Sequence, residues 1–178
     1  DGNNHSVRIQ GNMTTDVGGF SDTTSTFVLS GTGQTIDGSF LFPRLQKSTA
    51  TQDTLWFAAG DTFTVFDTLA LNGQPGALLY LRSSISGQPW YLLPMGETNV
   101  SYVNIADGVN LGGSPVEPAN SVNAGNNVNW FETNPPDNDM TAVAFPIDTN
   151  AVVITWNPSA IHSADADSVG VWYTTSGY

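Results

Sequence analysis

Oxygen donors are densest in two short runs near the C-terminal end, Asp137-Asn138-Asp139 and Asp165-Ala166-Asp167-Ser168. A calcium ion takes about 6–8 oxygen ligands from carboxylates and carbonyls in a flexible loop. Asp137, Asp139, Asp165 and Asp167 offer such donors, although neither run has the further acids and the fixed glycine of an EF-hand loop. Calcium is therefore the ion these residues would suit, as an optional ligand and not a requirement. The same residues serve equally as solvated acidic turns.

Four other carboxylates, Asp61, Asp67, Glu97 and Asp107, bear on glycoside cleavage. That chemistry needs two acids facing each other about 5–10 Å apart. Each of the four sits beside a Gly or Thr, where an Asp is expected to close an Asx turn. A lyase would also need Lys or Arg against its substrate's acid, and Arg82 is the only Lys or Arg after Lys47. Of the two histidines, His5 lies in a Gly/Asn-rich start, and His162 lies in a polar loop with Ser159 and Ser163 nearby. A Ser-His-Asp arrangement needs a buried orienting acid and an oxyanion hole, and nothing in the chain resembles a nucleophile elbow. The expectation is a protein that is not an enzyme, with a polysaccharide lyase or hydrolase as the enzymatic alternative. No catalytic or cofactor-binding residue is assigned.

Trp56, Trp90, Trp130, Trp156 and Trp172 each sit inside an apolar run or at its end. That placement favours core packing over a sugar-stacking platform. The Asn-rich stretch 120–129 is expected to stack as an Asn ladder inside the turns of the coil, where side-chain amides satisfy buried backbone groups.

Charge excludes whole classes of partner. The 178 residues carry four Lys+Arg against 16 Asp+Glu, a net charge of −12. A nucleic-acid binder needs a basic stripe, and this chain has none. Docking on an anionic membrane surface is disfavoured for the same reason. No apolar run approaches the ~20 residues of a membrane helix, so membrane insertion is not expected. Without cysteine there is no disulfide and no thiolate chemistry. The chain begins at Asp1 and not Met, as a processed mature form or an excised fragment would.

The elements that must position these residues are strands. Gly or Pro interrupts nearly every window long enough for an amphipathic helix. Short apolar runs rich in β-branched and aromatic residues recur instead, at 27–29, 40–42, 55–57, 63–66, 69–71, 78–81, 90–93 and 100–105. This spacing predicts an all-β solenoid, sandwich or barrel. Several runs are continuously apolar, and units of roughly 20 residues can be drawn as strand, turn, strand, turn, strand. Stacked rungs of that kind bury a continuous core that no single rung buries alone. The run 132–139 (ETNPPDND) then holds two prolines, three acids and no apolar residue, the composition of a linker.

Five segments carry a resemblance. They are STFVLSGTGQTIDGS at 25–39, DTLWFAAGDTFTVFDTLALNG at 53–73, LLYLRSSISGQPWYLLP at 78–94, VSYVNIADG at 100–108 and NAGNNVNW at 123–130. In order and spacing this text resembles β-helix modules of large bacterial secreted and cell-surface proteins. The resemblance covers over half the chain. It implies a right-handed parallel β-helix and an extracellular location, and it imports no active site. After the linker, AVAFPIDTNAVVITWNPS at 142–159 and DADSVGVWYTTSGY at 165–178 resemble the opening strands of a fibronectin-type-III-like sandwich. Such a sandwich takes about seven strands and ~100 residues, so this one is incomplete within the chain.

The sequence is thus expected to form a short right-handed parallel β-helix over 1–131, a linker over 132–139, and a partial β-sandwich over 140–178. The expected role is structural: a subunit or segment of a bacterial surface filament or adhesin, associating head to tail through strand edges. A module that binds surface polysaccharide is the alternative.

Overall fold

The computed structural model describes residues 5–15 and 24–131. The linker, the fibronectin-like segment, His162 and the four calcium candidates Asp137, Asp139, Asp165 and Asp167 all lie outside the described residues.

Among the described residues the protein is all-β, with thirteen strands and no helix. The strands are β1 (Ser6–Ile9), β2 (Met13–Thr14), β3 (Thr26–Leu29), β4 (Thr35–Asp37), β5 (Phe40–Ser48), β6 (Asp53–Phe57) and β7 (Thr62–Asn72). They continue as β8 (Leu79–Ser83), β9 (Trp90–Pro94), β10 (Glu97–Ser101), β11 (Val103–Ile105), β12 (Gly108–Asn110) and β13 (Val122–Asn123).

The strands form two sheets. One runs β1-β3-β5-β7-β9-β12, with β10 also pairing β7. The other runs β13-β11-β8-β6-β4-β2. Every pairing between these strands is parallel. Parallel neighbours need a long crossover, which most proteins supply with a helix. Here the chain crosses through strands of the opposite sheet, and those strands pair in turn. Thr26 consequently lies beside Arg44, 18 positions later, and Thr68 beside Glu97, 29 positions later.

A bulge divides the first sheet into two arms. Phe42 pairs with Val65 and Arg44 with Thr68, so Pro43 alone faces Phe66 and Asp67. Proline has no N–H for the ladder, and a bulge is where a sheet tolerates it. Beyond the bulge, residues 62–65 of β7 continue into β9, and residues 68–72 continue into β10. Two successive stretches therefore hold three strand segments each, β6 with the two arms of β7, and β8, β9 and β10. Paired residues on neighbouring strands lie from 18 to 29 positions apart in sequence.

Side chains alternate inward and outward along each strand. The pattern is clear in β6, where Asp53, Leu55 and Phe57 are buried while Thr54 and Trp56 face out. Parallel register stacks like on like, as in Phe40, Phe63 and Leu92 in one sheet and Leu55, Leu81 and Ile105 in the other. All six are buried. Aromatic rings extend the stacking between repeats. Phe57 lies face to face with Trp90 at 4.1 Å, and Trp90 meets Trp130 at 6.1 Å.

Candidate functional site

The carboxylates singled out by the sequence hold turns together. Asp61 accepts the N–H of Gly38 through Oδ2 at 2.9 Å and the Ser39 hydroxyl through Oδ1 at 3.2 Å. Asp107, itself in the left-handed region at φ 59°, accepts the Gly87 N–H at 3.2 Å and an Asn126 amide hydrogen at 3.1 Å. Asp67 pairs with Arg44 across the bulge. Glu97 is exposed on β10. Asp61 and Asp107 each reach a backbone N–H one repeat earlier, about 20 positions away in sequence.

The Asn-rich stretch does the same work. The Asn127 amide accepts the Gly108 N–H at 2.9 Å and donates to the Ile105 carbonyl at 2.8 Å. Asn129 donates to the carbonyls of Asn110 and Gly112. These bonds tie one repeat to the next as a network, not as a ladder of identical residues. Among the described residues, no three His, Cys, Asp or Glu side chains gather as a metal site.

A buried polar cluster lies apart from the residues that the sequence singles out. Lys47 is 1% exposed, and its Nζ lies 2.8 Å from Asp53 Oδ2. The ammonium also donates to the Gly31 carbonyl at 2.7 Å and to Gln34 Oε1 at 3.2 Å. Asp53 Oδ1 accepts the N–H groups of Gly33 and Thr54. Burial alone would raise the Asp53 pKa. Lys47 and the two N–H groups outweigh that and hold it below its ordinary value. Gln34 carries the network onward, donating to the carbonyls of Ile9 and Gly11. A signal was present: Lys47 shares the inward parity of Leu45 in β5.

The outward face of the second sheet carries an exposed tryptophan beside an arginine. Trp90 and Trp130 are buried, as their apolar runs predict, but Trp56 is 38% exposed. The alternation of β6 turns Trp56 out because Leu55 and Phe57 must face in. Its partner on the neighbouring strand is Arg82, and Thr54 likewise pairs with Tyr80. The Arg82 guanidinium sits 5.0 Å above the Tyr80 ring. It donates to the carbonyls of Leu81 and Asn104 and to Asn104 Oδ1. Partial burial lowers the Arg82 pKa, opposed by the fields of Tyr80 and Asp107.

No protein-family model, curated protein or solved structure matches this chain.

Proposed function

We propose that this chain is a structural segment of an extracellular bacterial surface protein, built as a parallel β-helix and extended by strand pairing at its ends. The β-helix reading is supported by parallel pairing throughout and by three strand segments in each of two successive stretches. The cross-repeat side-chain bonds of Asp61, Asp107 and Asn127 add to it. Polarity supplied by Asn, Thr, Ser and Gly, with few charges, suits the turns of such a stack.

The observation that carries the assembly reading is the edge of β1. Its inner edge binds β3: the carbonyls of His5 and Ile9 accept the N–H groups of Thr26 and Ser30. Strand alternation then turns the N–H and carbonyl groups of Ser6 and Arg8 outward. Among the described residues no strand pairs with that side. An open parallel edge is a template for another chain. Head-to-tail pairing of the first repeat with the last is heterologous, and it gives open filaments when the rotation does not close.

The Arg8→Pro variant tests this, because proline removes an outward donor without touching the β3 ladder. Sedimentation should show wild-type chains associating as concentration rises and the Arg8→Pro chain staying monomeric. Equal behaviour of the two proteins would refute assembly through β1.

A further inference from the structure

On the outward face of the second sheet, Arg82 bridges β8 to β11, while the Trp56 indole has no hydrogen bond or ring contact among the described residues. Trp56 is a large apolar side chain left 38% exposed on a strand whose neighbouring side chains bury fully. Polar groups border it in both directions. Thr35 lies beside it on β4 and Arg82 on β8. Thr54, Tyr80 and Asn104 form the adjoining row across β6, β8 and β11. Successive strands stand about 4.8 Å apart, so these rows make a shallow, ridged surface and not a pocket.

Arg82 gives the surface a sign. The chain has four Lys and Arg residues. Lys47 is committed to Asp53 and Arg44 to Asp67. Arg82 has no carboxylate within ion-pair distance among the described residues. The field of Asp107 reaches it, and the Asp107 oxygens accept from Gly87 and Asn126. A guanidinium carries five N–H donors, and three hydrogen bonds hold this one flat on the sheet. The Nε hydrogen and one Nη2 hydrogen remain for a ligand. Tyr80 beneath the guanidinium fixes its plane. Arginine held in this way is preorganised for a carboxylate.

We propose that this face binds an acidic glycan, with a sugar ring on Trp56 and the ring's carboxylate on Arg82. The apolar C–H face of a pyranose matches the electron-rich face of an indole. The hydroxyls of Thr35, Thr54 and Tyr80 and the amide of Asn104 supply partners of the kind sugar hydroxyls take. The net charge of −12 disfavours long polyanions of any kind, so the ligand is a short acidic oligosaccharide that places one carboxylate on Arg82. At physiological salt the repulsion from distant acids is screened beyond about 8 Å, while the contact with Arg82 is not. The site does not depend on end-to-end assembly.

Calorimetric titration of the full chain with oligogalacturonate, in parallel with its methyl ester, tests the assignment. Trp56 and Arg82 both face outward, and a cooperative thermal melt above the assay temperature confirms that each of Trp56→Ala and Arg82→Gln folds; Arg82→Gln lowers the midpoint because Arg82 bridges β8 and β11. Oligogalacturonate should bind the wild type. Either substitution, or methyl esterification of the ligand, should weaken binding about tenfold or more, as expected for losing a charge-assisted contact. Absence of binding to the folded wild type overturns the proposal. Binding of the ester as tight as that of the acid, or binding unaffected by Arg82→Gln, overturns it as well.

Discussion

Lys47 Nζ lies 2.8 Å from Asp53 Oδ2, with both side chains inside the protein and on successive strands of opposite sheets. The pair closes the turn between β5 and β6, and through Gly31, Gly33 and Gln34 it fastens the repeat before. Removing one member of such a pair leaves a buried charge without its partner.

Lys47→Met should therefore cost about 3–5 kcal/mol, the range for a broken buried pair. Asp53→Asn keeps the Oδ1 acceptor that serves Gly33 and Thr54 and removes the charge. The double variant Lys47→Met/Asp53→Asn should recover much of the loss. Urea unfolding of both single variants and the double variant measures this coupling.

The same pair sets an acid limit. The folded-state pKa of Asp53 is lowered. Its contribution is therefore present above the unfolded value of about 3.9 and is lost as pH falls through the folded value. Stability should drop below about pH 4, and Asp53→Asn should flatten that part of the profile. Thermal melts between pH 2 and about 7 would show it; a profile unchanged by the substitution would contradict it.

Trp90 links three repeats by stacking on Phe57 and Trp130 and by donating its Nε1 hydrogen to the Ala106 carbonyl at 3.0 Å. Trp90→Ala should cost about 3–5 kcal/mol. Trp90→Phe keeps a ring and should cost less. The near-ultraviolet circular dichroism of the stack should weaken in both.

Two glycines separate conformational strain from close approach. Gly33 has φ 61° with open space where a Cβ would stand, whereas Gly38 has φ 95° and a Cβ there would meet the Thr15 carbonyl at 2.2 Å. Gly33→Ala should cost only the left-handed strain, about 1–2 kcal/mol. Gly38→Ala adds a backbone clash and should cost clearly more. Equal midpoints in urea would contradict the close packing of the two repeats.

Much of this fold is legible in the sequence, and the limits have physical causes. The apolar runs 55–57 and 78–81 lie between turn residues, so β6 and β8 can be located by reading along the chain, but their continuous apolar text does not say which side chains face in. The setting of Asp61 and Asp107 beside glycine is equally local, and it points to turns. Their partners, Gly38 and Gly87, are set by which repeat stacks on which, and no local pattern states that. Trp56 looks like core because its neighbours are apolar, yet strict alternation forces it outward between Leu55 and Phe57. Lys47 looks like surface because it is charged, yet the parity of Leu45 forces it inward. In both cases strand periodicity overrides residue type. The calcium candidates Asp137, Asp139, Asp165 and Asp167 lie outside the described residues.

Electron microscopy of the purified full chain, over a range of concentrations at neutral pH, tests the central claim most directly. A stack that grows by parallel strand pairing at β1 predicts unbranched filaments of constant width, absent in the Arg8→Pro variant. Monodisperse particles at every concentration would contradict it.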